Sequence, residues 1–143
     1  MKIINREIGY SIRTLCYMFA EKDDLVTAGH LAKYFNISRP FLRKILQKLN
    51  HAGILDSYKG KKGGFKIALP ADRVFLIDLI NIFQGPIQLS GCYNRNKECP
   101  LMKNCPIQKE LEKLGRKLVN DLSKISLKSI IDEQNDELNQ EKQ

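Results

Sequence analysis

The chain has 143 residues, 43% hydrophobic and 28% charged, enough for one compact domain with an arm and too little for a two-domain cofactor enzyme. Its 24 Lys and Arg against 16 Asp and Glu give a formal net charge of +8, and the whole excess falls in residues 1–70, where 13 basic side chains meet 5 acidic ones. That composition predicts a folded protein, neither a disordered chain nor a membrane span. The first apolar stretch, Ile8 to Ala20, is interrupted by Arg13 and lacks a small-residue cleavage site after it, so it fits neither a signal peptide nor a spanning helix, and a cytosolic protein is expected.

In chain order, Ile8, Ile12, Leu15, Cys16 and Phe19 recur at three and four residues and predict a helix over 7–21 with Cys16 as a small buried hydrophobe. Thr27 is suited to cap a short second helix that ends at Asn36-Ile37. Ser38 then caps a third, with Pro40 tolerated in its first turn and Gly53 as its left-handed stop. Phe41, Leu42, Ile45, Leu46 and Leu49 form the apolar stripe of that helix, while Arg39, Arg43, Lys44, Gln47 and Lys48 project from its other side.

A short helix, a tight turn and a basic amphipathic helix make a helix-turn-helix. Residues 54–59 and 65–69 read as two strands joined by Gly60-Lys61-Lys62-Gly63-Gly64, a hairpin with cations at its tip. A phosphate-binding loop is excluded for these glycines, because the Gly-Lys-Ser/Thr ending is missing. Between Arg39 and Lys66 lie eight basic residues and one acid, Asp56, which points to a polyanion partner. The expected interface is double-stranded DNA, with Ser38, Arg39, Arg43 and Gln47 at base edges, Pro40 in the same first turn, and Lys44, Lys48, Lys59, Lys61, Lys62 and Gly63 along the backbone.

Residues 75–83 predict a fourth helix closed by Gly85-Pro86. Beyond the cysteine loop, Leu111, Leu114, Leu118, Leu122 and Ile125 predict one long helix over 106–131, whose stripe suits the same helix of a second subunit. Residues 132–143, with Leu138 as the single large apolar side chain, are expected to be disordered. The fold class is thus mainly α with a small β-hairpin wing: a winged helix-turn-helix over 1–84, a cysteine loop over 85–105, a dimerisation helix over 106–131 and a tail.

Cys92, Cys99 and Cys105 are separated by six and five residues. An odd number cannot pair locally, and zinc favours closer pairs than these. Thiolates at wider spacing suit an iron-sulfur cluster of the 2Fe–2S or 4Fe–4S type, with a cluster-free thiol sensor as the alternative. An electron-transfer protein would share the cluster but has no use for the basic helix and hairpin. A cysteine-dependent enzyme would need a base, and both histidines, His30 and His51, fall within the segment expected to bind DNA, so no catalytic role is expected.

The run Ser38-Arg39-Pro40-Phe41-Leu42-Arg43-Lys44-Ile45-Leu46-Gln47-Lys48-Leu49, Gly-Ile-Leu at 53–55, the wing Gly60-Lys61-Lys62-Gly63-Gly64-Phe65 and the later three-cysteine loop resemble the Rrf-two family of bacterial winged-helix regulators, the IscR, NsrR, RirA and CymR group. The resemblance covers residues 1 to about 130. It implies a homodimeric regulator whose operator binding answers to iron, cluster supply, oxygen or nitric oxide, or, in the CymR kind, to a protein partner. Cys92, Cys99 and Cys105 match the family's cluster ligands, although the first gap is six residues where five is commoner. A fourth ligand is implied by the same resemblance. The IscR-like histidine position holds Gln108; the NsrR-like carboxylate of the first helix has its nearest counterpart in Glu7; and His30 is the remaining candidate.

Overall fold

The computed structural model describes residues 2–21, 25–89, 99 and 104–143. Three helices come first: α1 (Arg6–Ala20), α2 (Ala28–Phe35) and α3 (Arg39–His51). Each starts on a side chain that accepts a hydrogen bond from an otherwise unpaired amide, Asn5 from Ile8, Thr27 from His30 and Ser38 from Phe41. α2 ends on Asn36 in the left-handed region (φ 54°), and the Ile37 amide returns to the Ala32 carbonyl at 3.0 Å, which fixes the turn into α3. Leu42, Ile45, Leu46 and Leu49 of α3 have no exposed surface at all. Each such side chain contributes about 1.5–3 kcal/mol, so α3 is anchored by its inner stripe and its basic side is left free of packing duty.

Gly53 (φ 80°) turns the chain into the antiparallel pair β1 (Leu55–Tyr58) and β2 (Gly64–Ile67), in register Leu55 with Ile67 and Tyr58 with Gly64. A third paired segment was not expected. Val26 exchanges two backbone hydrogen bonds with Phe65 (2.9 and 2.8 Å) and ties the wing to the start of α2. That approach is why position 64 is glycine: a Cβ there would lie 2.8 Å from the Val26 carbonyl oxygen.

A 3-10 turn (Ala71–Arg73) leads into α4 (Leu76–Phe83), where the Asp78 carboxylate accepts from the Phe75 amide, and Gly85 (φ 83°) follows the helix end. The core gathers Ile8 and Leu15 of α1, Leu31 of α2, the α3 stripe, Leu55, Val74, Leu79 and Ile80. The inner strip of α1 differs from the expected one. Ser11, Thr14 and Met18 are buried with Ile8 and Leu15, whereas Ile12, Cys16 and Phe19 are half-buried. α1 packs against α3, α4, β2 and the C-terminal helix Leu127–Glu141, and its buried side includes two small polar residues.

Two expectations for the C-terminal part are corrected. The helix expected over 106–131 is broken into α5 (Pro106–Leu122) and α6 (Leu127–Glu141). The break is a captured segment: the Ile125 carbonyl accepts from the Leu76 amide (2.9 Å), and the Leu127 amide donates to Val74 (2.7 Å), so Ser126 pairs with Phe75 as a one-rung bridge. Ser126 then caps α6 by accepting from the Ser129 amide. The tail over 132–143, expected to be disordered, is helical to Glu141. Its Glu, Gln, Leu and Lys are good helix formers, and α6 is nucleated by its cap, the buried Leu127 and a Lys128–Asp132 pair at 2.7 Å. A lack of apolar residues meant only that this end does not pack.

Candidate nucleic-acid interface

The polar side of α3 is two rows. Arg39, Arg43 and Gln47, spaced by four, turn toward the wing and line a groove of about 670 Å³ whose far wall carries Lys59, Lys61 and Gly63. Lys44 and Lys48, one step around the helix, turn toward α1. Their ammonium groups meet the Glu7 carboxylate at 3.0 and 3.2 Å, and Lys48 also lies 5.2 Å from the centre of the Phe83 ring. The charged residues that spacing alone placed in one interface thus divide between two faces.

At the wing tip the Gly63 amide donates to the Gly60 carbonyl at 3.0 Å, which places Lys61 and Lys62 at the two exposed corners of a tight turn. Lys61 lines the groove, and Lys62 stands beside it at the tip. Gly60 (φ 105°) adopts a backbone that side chains disfavour, and a Cβ at Gly63 would collide with the Tyr58 carbonyl oxygen. The glycines therefore set the shape of the tip while the lysines supply its charge. Ser38 accepts from the Phe41 amide at 3.4 Å and Pro40 sits in the first turn, so both shape the entry of α3.

Sequence reasoning missed several groove residues. Thr27, Asn50, His51, Ser57 and Tyr58 also line it. Asn50 was recognisable only with the hairpin in place, since its side-chain amide donates to the Leu55 carbonyl at 2.9 Å and fastens the end of α3 to the wing root. Tyr58, half exposed, lines the groove together with Lys59, and His51 extends the Arg43–Gln47 row by a further four positions.

The cysteine set is described in part. Cys92 lies outside the described residues; Cys99 and Cys105 are both half-buried, and Cys105 occupies the N-cap position of α5 ahead of Pro106. The three non-cysteine candidates are each engaged elsewhere. Glu7 holds the two lysines; His30 Nε2 lies 2.8 Å from the Tyr17 hydroxyl; Gln108 donates to the Glu112 carboxylate at 3.1 Å. Burial works to raise the Glu7 carboxyl, but hydrogen bonds and charge from Lys44 and Lys48 outweigh it, and the net shift is downward. Among the described residues no three His, Cys, Asp or Glu side chains gather closely enough to hold a metal ion. Among the described residues the donors are thus two half-buried thiols, chemically suited to iron, with the three other candidates paired elsewhere. The fourth cysteine, Cys16, is half-buried on α1, and burial pushes its thiol pKa up, as suits a packing residue.

A basic helix presented beside a glycine-shaped cationic wing defines a winged helix-turn-helix DNA-binding protein. Residues 4–133 match the family described as "Rrf2: Iron-dependent Transcriptional regulator", and the chain belongs to that family of transcriptional regulators. Protein aau3 of Rhizobium meliloti (strain 1021) is 28% identical over 111 residues, covering 77% of this chain and 72% of that protein. Among solved structures, CymR of B. subtilis, titled the global cysteine regulator, superposes with a TM-score of 0.70 at 21% identity, covering 92% of this chain and 98% of CymR. T. potens IscR gives 0.64 at 20% identity, covering 93% and 88%. At these identities the likeness to CymR and IscR is one of fold. Among the described residues no helix is long and apolar enough to cross a membrane.

Proposed function

We propose that the chain is a homodimeric, cytosolic regulator that binds double-stranded operator DNA, and that its cysteine loop makes this binding respond to iron, redox or nitric oxide status through an iron-sulfur cluster. The observation that carries the DNA reading is the groove itself: Arg39, Arg43 and Gln47 on one wall, Lys59 and Lys61 on the other. With α3 in the major groove, the Arg39 end of the helix reaches base edges, and the wing tip with Lys61, Lys62 and Gly63 follows the adjoining backbone or minor groove. Lys44 and Lys48 stand apart from this set because Glu7 holds both.

Two copies fit the reading, since one subunit presents one reading helix. α5 supports it: none of its residues is buried, and Ile107 and Leu114 are 70% and 55% exposed along the apolar stripe. A cluster bound by Cys92, Cys99 and Cys105 would supply the reaction with oxidants or nitric oxide that a sensor needs. Of these cysteines, Cys105 is held at the N-cap of α5. A cluster-free thiol sensor is the second reading, favoured by the engagement of Glu7, His30 and Gln108 with other partners.

The interface is tested by reversing charge at Lys61 and Lys62, each loss of a phosphate contact flattening the plot of log affinity against log salt by about 0.9. Unchanged binding in the double variant rejects the wing assignment. The sensor is tested by iron and sulfide analysis of anaerobically purified protein beside Cys99→Ala. Iron and sulfide that vanish in the variant support the cluster; their absence from the parent protein selects thiol sensing.

A further inference from the structure

Glu7 is an acid in the first turn of α1, yet its partners are on the reading helix, 41 residues away in the chain in the case of Lys48. Its side chain is 19% exposed, and its two oxygens are divided between two ammonium groups, Oε1 with Lys44 and Oε2 with Lys48. One carboxylate therefore constrains two cations and neutralises one of them. The pairing is not needed to dock α1 on α3, because Ile8 and Leu15 of α1 are already fully buried against the shared core. Lysines this exposed, 61% and 35%, add little to stability when paired.

Their position gives the pairing another consequence. A helix seated in a major groove about 12 Å wide has phosphates along both flanks. Lys44 and Lys48 are next in sequence to Arg43 and Gln47, so they lie on the flank beside the base-reading row. Free lysines there would reach phosphates on any sequence, adding affinity that carries no sequence information.

We propose that Glu7 is a specificity-determining residue: by holding Lys44 and Lys48 against α1 it withholds them from the DNA backbone and keeps sequence-independent binding weak. Recognition then rests on Arg39, Arg43 and Gln47. This inference rests on the reading that α3 enters DNA, and the experiment separates the two.

The measurement is binding of the full-length protein, by fluorescence anisotropy, to a duplex of scrambled sequence between about 50 and 200 mM potassium chloride. Glu7→Gln is isosteric and releases both lysines. Its slope of log affinity against log salt should steepen by as much as about 1.8, so that its affinity falls about 12-fold more than the parent's across that fourfold range of salt. Lys44→Gln with Lys48→Gln in the parent background should leave the slope unchanged, and the triple variant should return to the parental slope. A slope in Glu7→Gln that stays level or flattens overturns the proposal. So does a slope that flattens by about 0.9 per lysine when Lys44 and Lys48 are replaced in the parent, because those lysines would then already contact phosphate. Neither lysine is a fully buried side chain, so the lysine variants can still overturn the proposal if Glu7→Gln folds poorly. Arg43→Ala tests the underlying reading: if it binds a duplex selected from a random pool as well as the parent does, α3 is not the reading helix and both inferences fall. Loss of that binding with no steepening in Glu7→Gln removes the role of Glu7 alone.

Discussion

Replacing Gly64 with alanine should detach the wing from the body of the domain. The new methyl group would lie 2.8 Å from the Val26 carbonyl oxygen and 3.2 Å from its carbonyl carbon, both backbone atoms that cannot rotate away. Relief requires the two segments to separate by roughly half an ångström, which takes the paired Val26–Phe65 hydrogen bonds from 2.9 and 2.8 Å to the weak edge of the hydrogen-bonding range. At about 1 kcal/mol for each bond, the loss is about 2 kcal/mol. With a urea dependence of roughly 2 kcal/mol per molar for a domain of this size, the unfolding midpoint should fall by about 1 M. Gly9→Ala is the internal control. Gly9 lies within α1, and a Cβ there meets nothing within 4 Å, so the same substitution should stabilise by about 0.5–1 kcal/mol. Urea unfolding followed by circular dichroism gives both values, and hydrogen exchange at the Val26 and Phe65 amides reports the rung directly. A Gly64→Ala protein as stable as its parent, with those amides still protected, would show that the close approach does not hold the wing.

Charged residues at Leu114 and Leu118 should convert a dimer into a monomer by sedimentation, with weaker DNA binding; a persistent dimer places the interface elsewhere than α5. Thr14 is fully buried and its hydroxyl has no hydrogen-bond partner among the described residues, so Thr14→Val should be neutral or stabilising by about 1 kcal/mol in urea unfolding, and a clear destabilisation would reveal a partner for the hydroxyl. Because the folded Glu7 carboxyl is held below its ordinary value, its contribution to stability is complete above the usual carboxylate range and is lost as pH falls through the lower folded value. Stability of Glu7→Gln against pH should therefore show a shallower acid limb than the parent, and parallel limbs would mean that the lysines do not favour the charged form.

α3 was legible because every device that shapes it is local: the Ser38 cap, Pro40 in the first turn, a leucine and isoleucine stripe and Gly53 as the stop. The wing was legible for a similar reason, since glycines at 60, 63 and 64 with lysines between them leave few alternatives. What the sequence concealed depends on distant partners. The break at 123–126 contains neither glycine nor proline, and it exists because residues 74–76 capture the backbone there. Val26 is a single residue long as a strand and has no periodicity to detect. Ser11 and Thr14 are buried on a helix that packs against α3, α4, β2 and α6, which hydrophobic spacing does not register. The division of the basic residues between groove and Glu7 was likewise hidden, because helix periodicity separates polar from apolar but does not say which polar row meets an acid. Of the cysteine site, Cys99 and Cys105 are half-buried, and Cys92 falls outside the described residues.

The bridge between Phe75 and Ser126 fastens the far end of α5 to the same segment that leads from the wing into α4. α5 is thus a strut clasped to the winged helix-turn-helix, and Leu127, 1% exposed, is the rivet. In a pair of subunits joined along their struts, the two winged helix-turn-helix units would keep a constant separation and a constant relative rotation. Such an assembly would measure DNA as a calliper does. One extra base pair between half-sites moves the second by about 3.4 Å and turns it by roughly 35°, a displacement that a clasped strut cannot absorb by swinging.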